Sequence, residues 1–343
     1  MNDAGDMRRF RLLLARDNSI DVKDDIGEEL KELFQVRDPS RHVDIASVPE
    51  KFFRSGCIVY LPWLKTAVKI LSPKLFEEVR LSRNKILITP EEQNKLAKAR
   101  IGIAGLNVGN PAAVCMALEG MRRFIFADND SLSLSNLNRF RANLGELGIN
   151  KAELSARQVY EINPFADIVV WNNGVVEKDI KKFLLRPRLR VLIEETDSLL
   201  LKIRLREAAK RARIPVIMVT GNSENVILDV ERFDYDHRLP LLNGYLKEEI
   251  IECVTSGKFV TLPQSERLRV MRDFVGGNDL LTKRLRNSFK LAGTKLAGIP
   301  QLAECSFLRG SVLTNAVRKI ILGYKLKSGR YHFCFDNLSW ARV

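Results

Sequence analysis

The sequence is poor in the residues on which several common chemistries depend. It has three histidines in 343 residues, His42, His237 and His332, and none stands at ligand spacing from another. A histidine-based triad or a histidine-rich metal centre is thereby disfavoured. Cys57, Cys115, Cys253, Cys305 and Cys334 are scattered, odd in number and free of any C-x-x-C pair. That argues against a disulfide framework and against a structural zinc site. No stretch reaches the roughly 20 apolar residues of a membrane span, so no membrane partner is expected. The N-terminus, MNDAGDMRRF, lacks the apolar segment of a secretory signal, which predicts a cytoplasmic chain. Internal repeats and low-complexity runs are also absent.

Charge is plentiful. Lysine and arginine number 56 against 42 acidic residues, a formal net charge of +14. Such an excess suits an anionic partner (ATP, an acidic protein or RNA), and suits equally a solvated basic surface. No aromatic-interleaved basic stripe singles out a nucleic acid, which is therefore not the expected partner.

From residue 100 onward, strand-like and helix-like segments alternate. RIGIAG, RRFIFAD, ADIVVW, RVLIEETD and IPVIMVTG read as buried strands. PAAVCMALEG, NKAELSARQVYEIN and SLLLKIRLREAAKRAR read as the helices between them. Short links between such units predict an α/β, Rossmann-like, doubly wound and mostly parallel sheet, with its ligand at the carboxyl ends of the strands. Residues 1–78 read as a small appended α+β unit, 79–240 as the nucleotide-binding domain, and 241–343 as a mainly helical extension that packs on it. The extension ends in a strand, SGRYHFCFDNL, and Thr89 and Pro90 read as the cap and first position of a polar helix.

The stretch IGIAGLNVGNPAAVCMALEG places Gly105 at a tight turn after a strand and Gly109 at a close backbone approach, where free N–H groups and a helix dipole favour phosphate. Such turns also serve plain packing. Asn107, Val108 and Asn110 depart from a dinucleotide fingerprint. Asp128, about 20 residues on, can take ribose hydroxyls of NAD or ATP alike. Arg139 and Lys151 separate the two, because cleavage between the α and β phosphates needs cations and hydride transfer does not. Taken singly, Arg139 could be a surface ion pair and Asp197 a helix N-cap.

Together ADNDSLSLSNLNR, GINKAE and EETDS, preceded by Arg80-Leu-Ser-Arg83, resemble the ThiF/MoeB superfamily of ubiquitin-activating-type (E1-like) adenylating enzymes over about residues 78–235. Within it the L-N-V-G loop, the stretch EETDSLLLKIRLREAAK and the N-terminal YLPW…RLSRN segment look most like a bacterial branch linked to nitroreductase-like flavoproteins. The resemblance implies an adenylyltransferase that uses ATP and Mg2+ to turn a carboxylate into an acyl-adenylate with release of pyrophosphate. The carboxylate would belong to a ubiquitin-like protein, a peptide or a small acid. The resemblance further implies that Asp128 holds the ribose, with Asp130 and Asn136 shaping the site, that Arg139 and Lys151 bind the triphosphate, and that Asp197 carries the magnesium. Arg83 would act as an arginine finger on the partner subunit's ATP, which makes a homodimer the expectation. The turn at Gly105, Asn107 and Gly109 departs from the family's G-x-G-G-x-G, and Val108 adds a side chain where relatives have none. Cys253 is the nearby candidate for a thioester, although a lone cysteine among apolar residues is more often a buried inert thiol. Two other readings stand beside this one: a non-catalytic nucleotide-binding scaffold for a flavoprotein, and a carboxylate-activating enzyme of tRNA modification.

Overall fold

The computed structural model describes residues 4–40, 48–54, 56–275 and 280–335, and it divides the chain into Met1–Gln93 and Asn94–Val343. In the first unit, β1 (Asp21–Asp24) runs parallel to β3 (Thr66–Ile70), and β2 (Cys57–Leu61) pairs antiparallel with β3. Helix Ile26–Arg37 carries Ile26, Leu30 and Leu33 on one stripe and buries them with Val48 and Leu71. Glu29 on the same helix accepts the Leu71 N–H at 2.6 Å, which satisfies a backbone donor where β3 ends. Thr89 and Glu92 form a reciprocal capping box at the start of helix Pro90–Lys98.

The second unit is the expected α/β sheet. Its strands are β4 (Arg100–Ala104), β5 (Arg123–Ala127), β6 (Asp167–Trp171), β7 (Val191–Glu194), β8 (Val216–Asn222), β9 (Asn225–Glu231) and β10 (Gly329–Phe333). They lie in the order β10-β9-β8-β7-β4-β5-β6. The strands from β8 to β6 are parallel, while β9 and β10 fold back antiparallel at one edge. β4 begets β5 and β6 on one side, and the chain then crosses to β7 and β8 on the other. The switch point between β4 and β7 is where a ligand crevice opens in such sheets. The apolar runs of the sequence exist because helices cover both faces: Ile101, Ile103, Phe124, Phe126, Val191 and Ile193 are fully buried.

Three local expectations change. The helix expected from Pro111 begins at Leu106, so that Pro111 stands inside Leu106–Leu118. It can start early because Gly105, at φ 93°, turns the chain directly out of β4, and the Asp128 carboxylate takes the free N–H of Leu106 at 2.6 Å. The last strand covers Gly329–Phe333 of the expected segment, whose residues 336–338 lie outside the described residues. Cys115 and Cys334, which stand within apolar sequence patterns and so read as core, are half-buried, whereas Cys57 and Cys305 are buried. Among the described residues no helix is long and apolar enough to cross a membrane.

The helical extension is seated by its long helix, Ala303–Leu322, which lies against helix Leu106–Leu118. The contact is close at Gly310, where an added Cβ would stand 2.8 Å from the backbone carbon and Cβ of Pro111. Neither atom is the end of a flexible side chain, so a methyl group there must push the helices apart. Gly310→Ala is expected to cost about 1–3 kcal/mol by overpacking, read as a lower urea midpoint of the full chain. Gly298→Ala, where a Cβ would meet nothing within 4 Å, should stay within about 0.5 kcal/mol of wild type.

Candidate functional site

The carboxyl ends of β4, β5 and β7 converge because the sheet is parallel there, and each end presents a polar turn. After β4 comes Gly105. Its missing Cβ makes room for the Glu195 carbonyl oxygen of the β7 turn, which a side chain would meet at 2.2 Å. After β5 comes Asp128, whose carboxylate accepts the N–H groups of Leu106 at 2.6 Å and of Asp130 at 2.8 Å. Burial pushes the Asp128 carboxyl up, against those two hydrogen bonds and the nearby Lys151 charge. Lys151 opens helix Lys151–Ile162, capped by the side chain of Asn150. Its buried ammonium reaches Asp130 Oδ2 at 3.0 Å.

The segment between Asp130 and Lys151 is held by its own side chains. Asn136, buried, accepts the Ser133 N–H at 3.1 Å and fixes the short turn Leu134–Asn136. Arg139 follows and donates through Nη1 to the Ser135 carbonyl at 3.0 Å and to Asn138 Oδ1 at 2.8 Å. Burial, with the charge of Arg309 added, lowers the Arg139 pKa, and Asp197 opposes that shift. The Nε of Arg139 is buried without a hydrogen-bond partner.

Asp197, expected either as a metal ligand or as a helix cap, is exposed at the end of the β7 turn. The cap is Ser198, whose hydroxyl accepts the Leu201 N–H of helix Leu199–Ala212 at 3.3 Å. No hydrogen bond or ion pair among the described residues holds the Asp197 carboxylate. It stands free at the crevice, near Arg139 in charge.

The other expected residues fall as follows. Asn107 lies in the first turn of its helix with a buried, unpartnered Oδ1. Gly109 stands in the second turn, where its N–H donates to the Gly105 carbonyl at 3.1 Å and a Cβ would meet Ile103 Cγ2 at 2.3 Å. Its smallness lets the helix lie on β4. Arg83 is exposed in the short turn Ser82–Asn84 of the N-terminal unit.

A cavity of about 210 Å3 opens beside Asp197. Val108, Met218, Phe274, Leu285, Ile299 and Pro300 supply much of its apolar wall, and Arg309, Gln301 and Glu195 are among its polar lining. Two of these were not foreseen. Glu195 is buried, with Oε1 accepting the Val219 N–H at 2.6 Å, and burial pushes its carboxyl up to about 8. Arg309 sits on helix Ala303–Leu322 and is only 3% exposed. The visible signals were two adjacent glutamates ending an apolar strand, and one arginine in the otherwise apolar run SFLRGSVL.

Residues 81–225 match the ThiF family. An uncharacterized protein, MT1398, of Mycobacterium tuberculosis (strain CDC 1551 / Oshkosh) is 33% identical over 318 residues, covering 92% of this chain and 42% of its own length. A probable molybdopterin-synthase adenylyltransferase of Porphyra purpurea is 27% identical over 150 residues, 43% of this chain and 35% of that protein. The chain thus spans less than half the length of either relative. Among solved structures, E. coli tRNA N6-threonylcarbamoyladenosine dehydratase, TcdA, shares the fold with a TM-score of 0.52 at 18% identity, over 71% of this chain and 94% of that one. Arg309 and most of the cavity's apolar cover lie beyond the family match.

Glu195 gives the crevice a signature in pH. Its carboxyl titrates near 8 when folded and near ~4.3 when unfolded, so the folded chain binds the extra proton between those values. Its contribution to stability is therefore complete below about pH 4, declines as pH rises and is gone above about pH 8. In EDTA, the stability of wild type relative to Glu195→Gln should fall from about pH 5 to about pH 9. Parallel curves for the two proteins would show a carboxyl of ordinary pKa.

Proposed function

We propose that this chain, whose residues 81–225 belong to the ThiF family, binds ATP at the ends of β4 and β5 and activates a carboxylate as its adenylate. The observations that support this reading are Asp128 beside Lys151, and Arg139 within reach of the charge of a carboxylate, Asp197, that neither caps a helix nor forms an ion pair among the described residues. A carboxylate oxygen of the donor attacks the α-phosphorus and forms the O–P bond. The bond from that phosphorus to the bridging oxygen breaks, and its electron pair leaves with pyrophosphate. No proton need move. Arg139 and Lys151 would stabilise the charge that builds on the phosphates, with Lys151 exchanging Asp130 for phosphate. The free lone pairs of Asp128 would accept the ribose hydroxyls, with Asp130 and Asn136 shaping the pocket around them.

Magnesium commonly takes one or two carboxylates with phosphates and waters completing its shell, and the uncommitted Asp197 fits that need. When bound, the ion would neutralise phosphate charge. The donor classes open to the site are the C-terminus of a ubiquitin-like protein or peptide, and a small acid. A scaffold without catalysis, partnering a nitroreductase-like flavoprotein, draws support from one observation. The Leu106 N–H that could face a phosphate is already taken by Asp128. A carboxylate-activating enzyme of tRNA modification is the third reading.

By calorimetry Mg-ATP should bind more tightly than NADH, and Lys151→Met should weaken Mg-ATP by roughly 10–100-fold, the worth of a charge-assisted contact. NADH binding the tighter of the two would sink the reading; tight Mg-ATP with no pyrophosphate from any acid would favour the scaffold.

We also propose a homodimer in which Arg83 serves the partner subunit's ATP. Arg83→Ala and Asp197→Ala should each be nearly inactive, and mixing them under subunit exchange should restore about a quarter of the wild-type activity, as random pairing of two variants allows. Failure to complement despite demonstrated exchange would remove Arg83 from the reaction.

A further inference from the structure

Arg309 is a buried guanidinium whose charge is left open. It donates through Nη2 to Gln301 Oε1 at 3.1 Å, and its Nε is buried with no hydrogen-bond partner. No carboxylate among the described residues forms an ion pair with it. It lies beside Gly221, where a Cβ would make ordinary contact with Arg309 Nη1 at 3.5 Å. A buried charge held in no ion pair is costly, and this one, whose charge reaches the buried Glu195 carboxyl, lines the cavity of about 210 Å3 beside it. Arg139, whose Nε is likewise buried and unpartnered, lies close enough to depress its own pKa through the Arg309 charge. The two segments are braced together, by Ser306 Oγ donating to the Arg139 carbonyl at 3.0 Å and by Asn138 Nδ2 donating to the Gln301 carbonyl at 3.0 Å.

The cavity says what kind of anion belongs there. Its apolar walls suit a hydrocarbon group, which a phosphate lacks and a carboxylic acid can carry. Its volume equals that of roughly seven waters, below the ~300 Å3 of pockets for drug-sized ligands. It has room for an aliphatic or small aromatic side chain. A bare glycine terminus would leave it unfilled.

We propose that Arg309 binds the carboxylate of the acyl donor and that the apolar cavity holds the side chain on the donor's terminal carbon, so that the donor is an acid with an apolar substituent. This rests on the adenylation reading for its chemistry, though the binding site itself stands without it. Arg309 is then a specificity residue supplied by the extension, while Arg139 faces the phosphate side. The acid would lie between cover and nucleotide, with its carboxylate turned toward Asp197.

The test uses the full chain and 4-methylpentanoate as probe, titrated with and without a non-hydrolysable Mg-ATP analogue. The acid should bind at least about tenfold more tightly than 4-methylpentanamide and than acetate. Arg309→Met and Arg309→Lys should each weaken it by about tenfold or more, as loss of a fork-shaped charge-assisted contact requires, and leave Mg-ATP affinity within about twofold. Phe289, half-buried at the cavity, gives a second variant that keeps the guanidinium: Phe289→Trp should fill the space and weaken 4-methylpentanoate without affecting acetate. An amide that binds as well as the acid, no measurable binding of the acid by wild type, or Arg309 variants that weaken Mg-ATP instead would each overturn the proposal. Acid binding that depends on Arg309 in a chain that binds no ATP would overturn adenylation and leave the acid site standing.

Discussion

Beneath the crevice lies a buried ion network on which its geometry depends. Arg206 of helix Leu199–Ala212 is 1% exposed and bridges Glu194 at the end of β7 and Glu231 at the end of β9, the latter at 2.7 Å. Lys202, one turn earlier, adds a second cation to Glu194 at 3.3 Å. Burial would raise the Glu194 carboxyl, but Lys202 and Arg206 hold it below its ordinary range. Two carboxylates around one guanidinium, with backbone donors taking the remaining lone pairs, is the condition under which buried charge can be tolerated. Thr196 supplies some of those donors, through its N–H at 2.9 Å and its hydroxyl at 2.7 Å to Glu194 Oε1. The network thereby sets the turn that carries Glu195 and Asp197. Removing Arg206 would leave the buried Glu231 carboxylate without its ion-pair partner.

The turns after β4 and β7 are also one mechanical unit. The Glu195 N–H donates to the Ala104 carbonyl at 2.7 Å, and the Gly105 N–H to the Ala127 carbonyl at 2.9 Å. With the Glu195 carbonyl filling the space above Gly105, neither turn can shift alone. The place that would take phosphate and the place that would take a carboxylate are therefore held in fixed register by backbone, independent of any ligand.

Much of this could be read from sequence, for a physical reason. A parallel sheet covered on both faces leaves long apolar runs at regular spacing, and those runs located β4 to β8. Asp128 and Asp197 stood out as charges just past a buried strand, and Arg139 and Lys151 as cations suited to phosphates within motifs that resemble the ThiF/MoeB superfamily. What was hidden depends on distant partners. Whether Gly109 faces a phosphate or Ile103 turns on where the helix begins, and that is decided by Asp128, 22 residues beyond Leu106. Glu194, Arg206 and Glu231 look like ordinary surface charges until the fold encloses them. Arg309 gave little sign, since its importance comes from burial against a cavity whose lining is drawn from distant parts of the chain.

The seating of Gly310 on Pro111 has a consequence for descent with modification. Arg309 is the residue next to that pivot, so the guanidinium's position is inherited with the helix crossing and not with the loops around it. Phe274, Leu285, Ile299 and Pro300 stand away from the pivot and can drift in size, recutting the shape of the cavity while the charge stays where it is. A lineage could thus recut the cavity through its lining alone, whereas a methyl group at position 310 would move the helix and the charge it carries together.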